Sequence, residues 1–136
     1  MITYPAVMVH GVNDALAALA PGLPVTLLSA PGAGCFMGAG FWRALVAAAT
    51  KEYPATPCQD VLDCADAPGR ALEALRMGQK ILVLWPEVPG WQAAAEAARA
   101  CNAVLLAEAP PALDLARPGA LRRLPDWLNR MTGQSG

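Results

Sequence analysis

Few side chains in this sequence can do chemistry. There is one histidine, His10, and there are four cysteines, Cys35, Cys58, Cys64 and Cys101. Histidine is the side chain that ordinarily changes charge near neutral pH, so His10 is the natural proton carrier. Carboxylates that could work with it recur in a short turn. The turn reads Ser29-Ala-Pro-Gly32, Asp66-Ala-Pro-Gly69, Glu87-Val-Pro-Gly90 and, degenerately, Glu108-Ala-Pro-Pro111. A pairing of His10 with Asp66 or Glu87 would support acid–base catalysis if both reached one substrate atom.

Other chemistry is carried by the loop from Ala30 to Gly40. Gly32, Gly34, Gly38 and Gly40 would let backbone N–H groups approach an anion. The loop is not a Walker A motif, because no Lys-Ser/Thr pair follows. It is not a dinucleotide fingerprint either, because the third glycine comes one position too late and no suitably placed acid follows. Cys35 lies in this loop near an expected helix start, where a thiol can become nucleophilic, and His10 is the only histidine to serve it. No cysteine-enzyme signature surrounds it, and an unreactive loop cysteine is the plainer reading.

Metal binding is not expected. The cysteines form no C-x-x-C pair, and a structural zinc would need four converging ligands. Asp60, Asp63 and Asp66 recur every third residue, but that spacing puts Asp63 and Asp66 on opposite faces of a strand. No cofactor is identified.

The elements that must position these residues follow from the apolar pattern. Short apolar runs stand at Ala6–Val9, Val25–Leu28, Val61–Ala65, Ile81–Trp85 and Ala103–Ala107. Such runs suit strands buried on both faces. The segments between them read as helices. Pro68 to Met77 places Ala71, Leu72 and Leu75 on one side before Gly78. Phe41 to Tyr53 carries Trp42, Leu45, Val46 and Ala49 at helical spacing, and Gly90 to Cys101 is alanine-rich before Asn102. Val12 to Ala20 is a shorter helix that ends at Pro21-Gly22.

This alternation implies a single-domain, three-layer α/β fold. It would have a parallel five-stranded sheet with helices on both faces, Rossmann-like or flavodoxin-like. A half barrel of five βα units is the alternative. The repeated turn fits the start of each helix. Proline suits the first helical turn, and Ser, Asp or Glu before it can cap the free N–H groups. On that reading Ser29, Asp66, Glu87 and Glu108 are equivalent helix-start positions. With parallel strands they lie at the carboxyl edge of the sheet, as does His10, and ligands bind such edges where strand order reverses.

The α/β domain is expected over residues 1–117. An amphipathic helical segment over 118–131 carries Leu121, Leu124, Leu128 and Met131, with Trp127 beside them. It would pack on the domain or on a partner subunit, with Pro125 breaking or restarting the helix. Residues 132–136 read as a disordered tail.

Composition limits the partners. The chain has 136 residues, a formal net charge of −1, 55% hydrophobic and 15% charged residues. No basic run interrupts the main body, so nucleic acid is not an expected partner. No apolar run approaches the roughly 20 residues of a membrane helix, and the start lacks signal-peptide character, so a cytoplasmic protein is expected. The leading functional expectation is a domain binding a small anionic or polar metabolite. Its ligand-binding candidates are His10, Ser29, Gly32, Gly34, Cys35, Asp66, Glu87 and Glu108. The alternatives are a small acid–base enzyme, and a homo-oligomeric assembly protein using the tail with Trp91 or Trp42.

Overall fold

Alternating apolar runs and alanine-rich segments become alternating strands and helices. The computed structural model describes residues 2–134. The strands are β1 (Ala6–Val9), β2 (Val25–Ser29), β3 (Cys58–Asp63), β4 (Ile81–Val83), β5 (Val104–Leu106) and β6 (Ala112–Asp114). The helices are α1 (Val12–Leu19), α2 (Ala33–Phe36), α3 (Ala39–Glu52), α4 (Pro68–Arg76), α5 (Trp91–Ala100) and α6 (Ala120–Gln134). The strands form one sheet in the order β5-β4-β3-β2-β1-β6. Pairing is parallel, with Ala6 opposite Ala112 and Ile81 opposite Val104. Strand β2 is buried at every position, which requires cover on both of its faces.

The expected α/β class with a parallel sheet is therefore correct, but the sheet has six strands rather than five. The additional strand, β6, is three residues long and follows Pro110-Pro111. A segment that short has no periodicity to betray it. Its position matters. Strands β1 to β5 lie side by side in chain order, as successive right-handed βα steps in one direction produce. Strand β6 follows β5 after only five residues and pairs with the other side of β1, so β1 lies between β2 and β6.

The chain divides into two compact units with interleaved segments. One comprises Ser29–Ala44 and Val61–Ala109. The other comprises Ile2–Leu28, Leu45–Asp60 and the chain from Pro110 onward. In the second unit, Leu124 and Leu128 of α6 are buried and the Trp127 indole N–H donates to the Ala6 carbonyl at 2.8 Å. Leu121, expected on the same apolar stripe, is exposed, and the Met131 side chain lies outside the described residues. Pro125 does not break α6. It is exposed, and the helix continues through it despite the lost N–H donor and the crowding of its ring against the Leu121 carbonyl. The helix reaches Gln134, past the expected limit at Met131; residues 135 and 136 of the expected tail lie outside the described residues.

The repeated turn is not structurally uniform, contrary to the expectation from sequence. Pro68 sits at the start of α4 and Gly69 is inside the helix. In contrast, Gly32 and Gly90 are themselves the residues preceding α2 and α5, at φ of 71° and 94°. None of these three helix starts has a side-chain cap hydrogen bond, so Ser29, Asp66 and Glu87 are not caps. Glu108-Ala-Pro-Pro111 leads into β6, not into a helix. Positive φ explains the two glycines: a side chain there would be strained, so glycine rather than an acid sets the local geometry. Helix ends follow expectation better, with Gly78 and Asn102 both at positive φ just beyond α4 and α5.

Gly34 is the tightest point of the first unit. A Cβ there would lie 2.8 Å from the Cys64 Sγ and 3.2 Å from the Asp63 carbonyl oxygen. Helix α2 therefore rests directly on the end of β3. Gly34→Ala should destabilise the protein by about 1–3 kcal/mol through overpacking, read from the urea midpoint. Cys64→Ala in the same chain should recover only part of the loss, because the Asp63 carbonyl and the Cys64 backbone stay in place.

Candidate functional site

The second unit holds a built carboxylate–histidine pair. His10 follows β1 directly, and Asp114 ends β6, the neighbouring strand. Parallel pairing brings their carboxyl ends side by side, with Met8 opposite Asp114. The His10 Nε2 lies 2.7 Å from the Asp114 Oδ1. Both side chains remain open to solvent, at 36% and 31% exposure.

Local hydrogen bonds hold the pair. The Asp114 Oδ1 also accepts the Ala116 N–H at 2.9 Å, fixing the carboxylate from its own chain. The His10 backbone N–H donates to the Asp14 carboxylate at 2.9 Å, tying His10 to the first turn of α1. Gly11 separates His10 from α1, is extended, and has no atom near its missing Cβ. The hydrogen bond from His10 holds the Asp114 carboxyl below its ordinary range, helped by the Ala116 N–H. Its carboxylate form is therefore the one present at neutral pH. With the Asp114 carboxylate as acceptor, Nε2 is the nitrogen that carries the proton in the neutral ring, and Nδ1 is the other ring nitrogen.

Asp114 was missed in the sequence because its strand was missed. Its only signal is an acid at the end of a short Ala-Leu-Asp segment.

The remaining sequence candidates belong to the first unit. Ser29 is fully committed to the fold: its hydroxyl accepts the Asp63 N–H at 2.9 Å and donates to the Ala30 carbonyl at 3.2 Å. Asp63 is buried and its carboxylate accepts the Ala65 N–H at 2.8 Å. Asp66 is exposed just beyond. Gly32 and Gly34 shape the α2 approach described above. Glu87 and Glu108 are brought together: with Trp85, Pro86 and Ala107 they line an open cavity of about 420 Å³. A larger cavity of about 730 Å³ in the second unit is lined by Leu113, Arg123, Asp126, Trp127 and Asn129.

Cys35 is not an activated nucleophile. Its thiol lies 3.4 Å from the Cys64 carbonyl. Burial pushes its pKa up, the Asp66 carboxylate adds to this, and Arg70 only partly opposes it. Cys64 is buried and pushed up to about 12, chiefly by desolvation. The plainer reading of an unreactive loop cysteine fits: burial comes first, the neighbouring charges are mainly negative, and α2 is only one turn long. All four cysteines are free. Among the described residues no group of three or more His, Cys, Asp or Glu side chains could hold a metal ion. No helix among them is long and apolar enough to cross a membrane.

No protein-family model matches the chain, and no curated protein matches it. The site is therefore read on its geometry.

Both thiols should be protonated in native protein near neutral pH. Alkylation with iodoacetamide at pH 8, followed by mass spectrometry, should label Cys35 more slowly than a small free thiol. Cys64 should be labelled only after unfolding.

Proposed function

We propose that this protein binds a small polar or anionic metabolite beside the carboxyl ends of β1 and β6, with His10 as the proton-handling group. The observation that carries this reading is the His10–Asp114 hydrogen bond of 2.7 Å at the carboxyl ends of two neighbouring parallel strands. Ligands of parallel α/β sheets bind beyond the carboxyl ends of the strands, and His10 and Asp114 lie side by side at that end of β1 and β6.

Asp114 orients the imidazole and keeps Nε2 as the protonated nitrogen. Neutral His10 then offers Nδ1 to accept a proton from a bound hydroxyl or acidic C–H group. Protonated His10 offers Nδ1–H to an anionic oxygen, with its charge offset by Asp114. This reading keeps His10 from the sequence expectation and replaces Asp66 or Glu87 with Asp114 as its partner.

The pH dependence follows from the direction of the Asp114 shift. A carboxyl lowered in the folded state contributes stability above its unfolded pKa, and loses it as pH falls through the folded value. The His10–Asp114 pair should therefore persist through neutral pH and break only in acid, below the ordinary carboxylate value of 3.8. Nitrogen-15 NMR of the single histidine should report Nε2–H as the main neutral tautomer, with a second change in acid.

A screen of phosphorylated and carboxylated metabolites, followed on the same resonances, tests binding. His10→Gln and Asp114→Asn should each weaken a hit by roughly tenfold or more, the scale of a lost charge-assisted hydrogen bond. Glu73→Gln should leave it unchanged. A hit that is equally tight in both site variants, or a complete absence of hits, would remove this reading.

A further inference from the structure

Strand β6 turns its two faces to different uses. Leu113 and Asp114 are consecutive, so their side chains leave opposite faces of the sheet. Asp114 meets His10 on one face. On the other, Leu113 joins Arg123, Asp126, Trp127 and Asn129 of α6 around a cavity of about 730 Å³. That volume falls within the span of small-molecule pockets, roughly 300–1,000 Å³.

The lining has an apolar part and a charged part. Leu113 is buried, and the Trp127 indole N–H is spent on the Ala6 carbonyl, so both offer apolar surface to the cavity. Arg123 and Asp126 stand three residues apart on α6, close enough to pair. At the same spacing Arg70 and Glu73 of α4 do pair, at 3.5 Å. Arg123 and Asp126 do not: neither side chain has a hydrogen-bond or ion-pair partner among the described residues. Asn129 donates to the Pro125 carbonyl at 2.9 Å, which fixes its amide and leaves the amide oxygen as an acceptor.

A ligand here must match both charges at once. A simple anion is drawn to Arg123 and repelled by Asp126, and a simple amine meets the reverse. A peptide carries its ammonium and its carboxylate at opposite ends. A free α-amino acid carries both on one carbon, which suits two side chains one helical turn apart. From this we infer that the cavity beside α6 is a binding site for a free amino acid with an apolar side chain. Arg123 holds the carboxylate through its guanidinium fork. Asp126 and the Asn129 oxygen hold the ammonium, and Leu113 and Trp127 receive the side chain.

The test is isothermal titration of the full chain with L-leucine and with L-phenylalanine. Each is compared with its analogue lacking the ammonium, isocaproate or phenylpropionate, and with its analogue lacking the carboxylate, isoamylamine or phenethylamine. At least one amino acid should bind, and its two analogues should bind roughly tenfold or more weakly. Arg123→Gln and Asp126→Asn should each weaken the amino acid to a similar extent. Arg122→Gln removes a neighbouring charge that does not line the cavity, and should leave binding unchanged. Circular dichroism checks that each variant keeps its secondary structure. The proposal is overturned if neither amino acid binds at millimolar concentration, or if an analogue binds as tightly as its parent. Binding that survives both Arg123→Gln and Asp126→Asn overturns it equally.

Discussion

Strand β1 has no water to satisfy its backbone. Ala6, Val7 and Val9 are almost wholly buried, so both of its hydrogen-bonding sides need a protein partner. Strand β2 supplies one side and β6 the other. That second partner must come from the far end of the chain, after five strands have been laid down in order. The need to complete β1 thus draws Asp114 next to His10. It also brings α6 down so that Trp127 meets the carbonyl of Ala6. The His10–Asp114 hydrogen bond is a by-product of backbone satisfaction at one strand.

The carboxyl ends of the strands in the first unit are used quite differently. Ser29, Asp63 and Ala65 close a local hydrogen-bond network, and Gly34 presses α2 onto Cys64. These polar groups are consumed in holding the turn, and the buried Cys64 thiol beside them is held protonated. At His10 the reverse holds: each partner orients the other, and both stay open at the surface. The His10–Asp114 pair is thus fixed by the fold and still open to solvent.

Acids near helix starts illustrate how local plausibility can mislead. Asp66 and Glu87 have the right type and the right neighbours for capping, yet they cap nothing. Glycine at positive φ decides how two of these helices begin, and proline decides the third. Glu108 has the same local sequence and precedes a strand. Local chemistry proposes a role, while the path of the chain on either side disposes of it.

Much was legible from the residues alone. Short apolar runs between alanine-rich segments marked out five of the six strands, the helices between them and the parallel α/β class. Local burial and hydrogen bonding are enough to produce those elements, and composition records both. His10 was legible as a proton carrier because it has no rival in the chain. Its partner was not. Strand β6 is too short to show periodicity, and its pairing with β1 joins residues at opposite ends of the chain. Strand order, and with it the choice of Asp114 over Asp66 or Glu87, depends on which distant backbone groups satisfy one another. Only the tertiary structure decides that, because no local pattern encodes a contact between residues 10 and 114.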